Sequence, residues 1–93
     1  MDAHPGEFVY AMAGRDKGKC FIILSCEDNF IYLVDGKGRK VSTPKKKKIK
    51  HVNLTGDIDE FIFNKLDTSG KLTNKEVRYS LSNYLGKSKK GIN

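Results

Sequence analysis

The sequence has no tryptophan, two cysteines, two prolines and no long hydrophobic run. Its longest largely apolar stretch covers the seven residues from Cys20 to Cys26, whereas a membrane-spanning helix needs about 20. The first residues, Met-Asp-Ala-His-Pro-Gly-Glu, do not show the basic segment followed by an apolar one that is typical of an export signal. We therefore expect a cytoplasmic protein with no membrane partner.

The two cysteines do not predict a disulfide. Cys20 and Cys26 lie in one strand-like segment, and six residues of strand extend about 20 Å. A disulfide requires Cα atoms within about 7 Å, so these two residues cannot bridge each other within one chain. Two reduced cysteines fit a cytosolic protein.

Acidic residues are few, and the excess of positive charge is unevenly distributed. The 93 residues include 18 basic and 11 acidic side chains, for a net charge of +7. Residues 14–50 contain eleven of the basic and four of the acidic side chains, whereas residues 51–86 contain four and five. This asymmetry predicts one surface that faces a polyanion. The length allows one domain with a modest core.

The first half of the chain alternates β-rich segments with turn residues. Gly14 and Gly18 bracket one turn, Glu27-Asp28-Asn29 forms another, and Asp35-Gly36 is a strong hairpin signal. Short strands at this spacing predict a five-stranded closed barrel. The five predicted strands are Glu7–Ala13, Cys20–Cys26, Phe30–Val34, Arg39–Ser42 and Ile49–Leu54.

The second half changes to a helical period. Apolar residues recur at helical spacing from Asp57 to Leu66 and again from Val77 to Leu85, and each stretch follows a capping-box pattern, Asp57–Glu60 and Thr73–Glu76. Gly86 predicts the end of the second helix. We therefore predict a barrel with a basic loop over residues 1–54, a helical hairpin packed on or beside it over 55–86, and a disordered basic tail over 87–93.

The segment Val9-Tyr-Ala-Met-Ala-Gly-Arg-Asp-Lys-Gly-Lys19 combines a strand with a basic turn. Its two glycines permit a sharp turn and a close approach of the backbone to a ligand. Arg15, Lys17 and Lys19 supply positive charge at the tip. Glycine-lysine turns are common, so the turn indicates an RNA-binding motif only together with the strand pattern on both sides of it.

A second basic segment reads Arg39-Lys-Val-Ser-Thr-Pro-Lys-Lys-Lys-Lys-Ile-Lys50. Pro44 disfavours helix for the preceding residue, so the lysines are expected on an extended loop. Such a run can neutralise several phosphates, or it can be a solvated loop with no partner. A nuclear-targeting signal is a further interpretation, valid only in a eukaryote.

Together these segments resemble the KOW-domain family that includes the ribosomal protein L-fourteen-e of archaea and eukaryotes and its short bacterial relatives. Gly14, Asp16, Lys17 and Gly18 match the core of the KOW turn, with Val9 and Ala11 at the inward strand positions. The similarity covers residues 6–54 and includes the Asp35-Gly36 hairpin and the lysine run. It implies an SH3-like barrel that contacts ribosomal RNA through basic loops. The helical half shows only a general likeness.

Other site chemistries fit less well. A calcium loop would place Asp67, Ser69 and Glu76 at ligand positions, but Lys65 would occupy its first position, where a carboxylate is needed. The aromatic residues Phe8, Tyr10, Phe21, Phe30 and Tyr32 fit a core better than an RNA-stacking surface or a methyl-lysine cage, with Tyr10 and Tyr32 the more exposed. His4 and His51 have no catalytic partners in the sequence.

We therefore predict a non-enzymatic RNA-binding protein with no cofactor, monomeric when free, whose partners are ribosomal RNA and the large ribosomal subunit. Its contacts should be mainly to phosphates and RNA shape. The alternatives are a protein-interaction module that regulates transcription or translation, and a non-specific DNA-binding protein. The predicted RNA-binding residues are Arg15, Lys17, Lys19, Lys37, Arg39, Lys40, Lys45, Lys46, Lys47, Lys48, Lys50 and His51.

Overall fold

The computed structural model describes residues 3–90. The prediction of a five-stranded, mainly β fold followed by two helices is confirmed. No helix in this part of the chain is long and apolar enough to cross a membrane. The elements are β1 (Glu7–Ala11), β2 (Cys20–Glu27), β3 (Phe30–Val34), β4 (Lys45–Lys48), a 3₁₀ turn (Ile49–His51), β5 (Val52–Ile58), α1 (Glu60–Thr68) and α2 (Asn74–Lys90).

The strands form one antiparallel sheet in the order β4-β3-β2-β1-β5. The first four strands follow one another as a meander, and β5 returns to pair with β1. Strands β4 and β5 are therefore the two edges of an open sheet, and no strand pairing among residues 3–90 closes it into the predicted barrel. The pairing of β2 with β3 shifts register between Ile23 and Ser25, an irregularity of the kind that bends a strand.

Both faces of the sheet are covered by apolar side chains. Strand β2 contributes to each face, as its apolar sequence predicts for a central strand. One face carries a cluster of strand and 3₁₀ residues: Val9, Ala11, Phe21, Ile23, Ile31, Leu33, Ile49 and Val52. The other face joins the helices to the sheet through Phe8, Ile22, Val34, Ile62, Leu72, Val77 and Leu81.

The first helix begins later than predicted. Asp59, not Asp57, is its N-cap, and the Asp59 carboxylate accepts the Ile62 backbone N–H at 3.1 Å. Asp57 belongs to β5, and its Oδ2 accepts the Tyr84 hydroxyl at 2.7 Å. The extension of β5 to Ile58 therefore displaces the helix start by two residues.

The second helix has the predicted start and a different end. Thr73 Oγ1 accepts the Glu76 N–H at 3.1 Å while Glu76 Oε1 accepts the Thr73 N–H at 2.9 Å, which confirms the capping box. The predicted stop at Gly86 is wrong, because α2 continues to Lys90. A glycine inside a helix costs only about 1 kcal/mol, which neighbouring turns can offset. Of the predicted basic tail, residues 91–93 lie outside the described part of the chain.

The fourth strand is also not where it was predicted. Residues 39–42 form turns: the Arg39 carbonyl accepts the Asp35 N–H at 2.8 Å, and the Lys40 carbonyl accepts the Thr43 N–H at 2.9 Å. The strand consists instead of the lysine run, which pairs with Phe30–Leu33 of β3. Lysine has a low intrinsic strand preference, so the available edge of β3 overrides the propensity of the segment.

Candidate nucleic-acid interface

The basic turn, residues 14–19, is closed by its own backbone. The Gly18 N–H donates to the Ala11 carbonyl at 2.8 Å, and the Lys19 N–H donates to the Asp16 carbonyl at 2.9 Å. Gly14 and Gly18 have φ values of 81° and 88°, in the region that disfavours side chains. The turn thus holds Arg15, Lys17 and Lys19 exposed at its tip.

A second loop, residues 35–41, lies against this turn. Asp35 Oδ1 organises it by accepting the backbone N–H groups of Lys37 at 2.9 Å and Arg39 at 2.8 Å. Arg39 Nη2 then donates to Asp16 Oδ2 at 3.2 Å, and Lys19 Nζ approaches the other oxygen of Asp16 at 3.5 Å. The two basic loops are therefore one connected surface.

The Asp16 carboxyl responds to these neighbours. Partial burial acts to raise its pKa, but the hydrogen bond and charge of Arg39, together with the Lys19 ammonium, outweigh burial and lower the pKa. Asp16 is therefore ionised at neutral pH and holds the Arg39 guanidinium in place. Arg39 keeps 36% of its side chain exposed, so the guanidinium remains accessible to a phosphate.

Helix α2 holds the 35–41 loop through two hydrogen bonds. Arg78 Nη1 donates to the Gly36 carbonyl at 2.8 Å, and Asn74 Oδ1 accepts the Val41 N–H at 2.8 Å. A Cβ atom at Gly36 would lie 2.6 Å from the Asn74 carbonyl oxygen, so loop and helix are in close contact. The helical half of the chain thus positions Lys37, Arg39 and Lys40.

The lysine run forms the edge strand β4, with its side chains alternating between the two faces. Lys45 and Lys47 pair with Leu33 and Ile31, whereas Lys46 and Lys48 pair with Tyr32 and Phe30. Lys47 Nζ donates to the Ala13 carbonyl at 2.8 Å, which links β4 to the residue just before the basic turn.

Lys46 lies over the aromatic residues on the other face of β4. Its Nζ is 4.4 Å from the Phe30 ring centroid and 6.0 Å from that of Tyr32. The Lys46 ammonium therefore lies over the Phe30 ring and near the edge of cation–π range for Tyr32. Charged residues also protect an exposed sheet edge from pairing with another chain, which is the alternative explanation for four lysines at this position.

The structure brings together most, but not all, of the twelve predicted residues. The basic turn, the 35–41 loop and Lys47 are in contact, and the hydrogen bond from the Met12 N–H to the His51 carbonyl at 3.0 Å places the 3₁₀ turn beside them. Lys46 and Lys48 lie on the opposite face of β4. None of the twelve is buried: Arg39, Lys45 and Lys47 are half-buried, and the other nine are exposed.

Four residues with supporting roles were absent from the predicted site. Asp16 and Asp35 fix the two loops, and Asn74 and Arg78 hold the second loop on α2. The sequence marks both acids only as turn residues, Asp16 in the KOW-like turn and Asp35 in the Asp35-Gly36 hairpin signal. Arg78 and Asn74 had no local signal, because their loop partners lie far away in the chain.

The residues considered for other chemistries have structural contacts. Lys65, the first position of the hypothetical calcium loop, forms an ion pair with Glu76, the twelfth. Phe8 and Phe21 are buried, as predicted, while Tyr10, Phe30 and Tyr32 are half-buried. In the described part of the chain, no group of three or more His, Cys, Asp and Glu side chains could hold a metal ion. Cys20 and Cys26 are free thiols.

Comparison with protein-family models gives no match to this chain, and comparison with curated proteins gives none either.

Proposed function

We propose that this chain is a non-enzymatic RNA-binding protein of the KOW type, which binds ribosomal RNA on the large subunit in the cytoplasm. The observation that carries the proposal is the joining of three basic segments by the Asp16–Arg39 and Lys47–Ala13 contacts. A polyanion with closely spaced phosphates can bind all three segments at once. The free protein is a monomer under this proposal.

The geometry of the KOW-like segment supports the same function. Val9 and Ala11 are buried, and Gly14 and Gly18 have the positive φ values that such a turn needs. An SH3-like barrel is the finer fold that we propose. Two observations support it. One is the strand order, and the other is the hydrogen bond by which Lys47 of the edge strand β4 contacts Ala13, two residues after the end of β1.

The first experiment is sedimentation of a cell lysate at low and high salt. Under the proposal, the protein migrates with large ribosomal subunits at low salt and leaves them as salt rises, because phosphate contacts weaken through counterion release. A protein that stays at the top of the gradient at low salt would contradict the ribosomal assignment. RNA crosslinking in the same lysate then shows whether the protein binds an RNA outside the ribosome or binds no RNA.

The second experiment tests the surface directly. Replacing Lys45 to Lys48 by glutamine should weaken binding to structured RNA about tenfold or more and reduce the slope of log K against log salt by up to about 3. Substitution of Lys71 and Lys75, two exposed lysines in the helical half, is the control for general charge loss. Unchanged affinity and slope would exclude this surface, and equal affinity for duplex DNA would favour non-specific DNA binding.

One observation favours a second candidate, a protein-interaction module. Phe61 and Tyr79 are 61% and 70% exposed on the helical half and line one shallow cavity. A protein partner at this site would bind with little salt dependence. Phe61→Ser with Tyr79→Ser would abolish such binding and leave RNA affinity unchanged, so the two candidates are distinguishable.

A further inference from the structure

A cavity of about 430 Å³ lies between α2 and the two basic loops. Its size is within the range of small-ligand sites, about 300–1,000 Å³. Tyr10, Cys20, Leu81 and Leu85 form its apolar part, and Lys19, Lys37 and Arg78 contribute its cations. Lys19 and Lys37 also belong to the proposed RNA surface, so the α2–loop cavity is continuous with that surface.

The charge of the α2–loop cavity favours an anion. Three cationic side chains line it against one carboxylate, Asp35, whose Oδ1 already accepts two backbone N–H groups. Burial raises the pKa of the Cys20 thiol to about 11, so the thiol adds no negative charge at neutral pH.

The apolar part of the α2–loop cavity is incompletely covered. Leu85 is 39% exposed and Tyr10 is half-buried, although both line the same cavity as the buried Leu81. A ligand with a flat apolar group and an attached anion would satisfy both parts. An unpaired nucleotide has this chemistry, because its base offers a π-face and its phosphate offers the charge.

The residues that carry the cations of the α2–loop cavity are partly positioned by other contacts. Arg78 is held by the Gly36 carbonyl, the backbone of Lys37 by Asp35, and Lys19 lies beside Asp16. Binding would therefore require little rearrangement of the loops, which reduces the entropic cost of association.

We infer that the α2–loop cavity receives the base of an unpaired nucleotide within the bound RNA, while Lys19, Lys37 and Arg78 contact its flanking phosphates. This inference rests on the proposed RNA-binding function and assigns part of the site to α2. It also specifies the RNA target: a helix interrupted by a bulged or looped nucleotide, rather than a fully paired duplex.

The test compares two RNA hairpins that differ only by one bulged nucleotide. The full chain should bind the bulged hairpin about tenfold more tightly, equivalent to about 1.4 kcal/mol. Ser82→Trp places an indole at the cavity from an exposed helix position and should remove this preference without changing affinity for the paired hairpin. Asn83→Trp, which faces a different cavity, should retain the preference.

A second pair of variants tests the charge. Arg78→Gln should reduce affinity for the bulged hairpin more than for the paired one, whereas Lys75→Gln, three residues earlier on α2, should reduce both equally or neither. Circular dichroism of each variant checks that the fold is retained. Arg78→Gln also keeps the test decisive if Ser82→Trp does not fold.

The outcomes separate this inference from the function on which it rests. Equal binding of both hairpins by the unmodified chain, with the expected salt slope, would overturn the cavity assignment and leave RNA binding intact. A preference that survives both Ser82→Trp and Arg78→Gln would also overturn it. Failure to bind either hairpin at low salt would overturn the RNA-binding proposal and this inference together.

Discussion

Arg39 Nη2 lies 3.2 Å from Asp16 Oδ2, and this contact joins two loops through residues that are 23 positions apart in the chain. Asp16 retains 15% of its side-chain exposure and Arg39 retains 36%. The pair is therefore only partly shielded from water, and its contribution to stability should be modest. Its larger effect is to keep the basic turn and the 35–41 loop in one surface.

We predict that Asp16→Asn destabilises the fold by about 0.2–1 kcal/mol at neutral pH, the usual value of a partly exposed ion pair. The folded-state pKa of Asp16 is lowered, so its stabilisation is present above the ordinary carboxyl range near 4 and is lost as pH falls through the lower folded value. Urea unfolding of both proteins at several pH values should show the difference shrinking below about pH 4.

The control for Asp16→Asn is Asp28→Asn in the exposed β2–β3 turn. Asp28 takes part in none of the ion pairs among the described residues, and its φ of 54° suits asparagine equally well. This variant should be as stable as the unmodified chain. A pH-independent difference between Asp16→Asn and the unmodified chain would contradict the ion-pair explanation.

The contact between the 35–41 loop and α2 leaves no room for a side chain at Gly36. Gly36→Ala combines a φ of 79° with a Cβ atom 2.6 Å from the Asn74 carbonyl oxygen, so we expect a loss of about 2 kcal/mol or more. Gly38→Ala is the matched control, because its Cβ meets nothing within 4 Å. Chemical denaturation should separate the two variants clearly, and equal stability would show that the loop is not held against α2.

Neighbouring lysines of β4 should have different effects on stability and equal effects on charge. Lys47→Met removes the hydrogen bond to the Ala13 carbonyl and should cost about 0.5–1 kcal/mol, whereas Lys48→Met should cost little. Each substitution removes one cation, so each should reduce the salt slope of RNA binding by about 0.7–0.9 if that lysine contacts a phosphate. Thermal melts and salt titrations of the two variants provide the comparison, and equal melting temperatures would contradict a specific role for Lys47.

Local patterns predicted the elements that depend on local chemistry. The Phe30–Val34 strand was predicted with its observed bounds, and the Thr73–Glu76 capping box formed as expected, because turn residues and reciprocal cap hydrogen bonds act within a few positions. Four of the five predicted strands correspond to observed ones, with ends that differ by up to four residues.

The errors arose where a distant part of the chain determined the outcome. The lysine run became a strand because β3 offered an unpaired edge, and residues 39–42 became turns held by Asp35 and Asn74. Asp57 does not cap α1 because it lies within β5 and its carboxylate accepts the Tyr84 hydroxyl. For the same reason, the role of Arg78 at the 35–41 loop could not be predicted from α2 alone.

Tyr84 stacks on the buried Phe8 ring at a centroid distance of 3.9 Å and donates its hydroxyl to Asp57. Partial burial, and then the hydrogen bond to the Asp57 carboxylate, raise the pKa of Tyr84 to about 12. Because the folded-state pKa lies above the unfolded value near 10, the stabilisation is complete below about pH 10 and is lost as pH rises through about 12.

We therefore predict that Tyr84→Phe destabilises the fold at neutral pH and that this difference decreases above pH 10. The measurement is an alkaline titration that follows phenolate absorbance, and in Tyr84→Phe the tyrosine that titrates near pH 12 should be missing. The control is Tyr79→Phe at a highly exposed position, which should leave both that titration step and the stability unchanged. Loss of a group titrating near 10 instead would contradict the assigned contact.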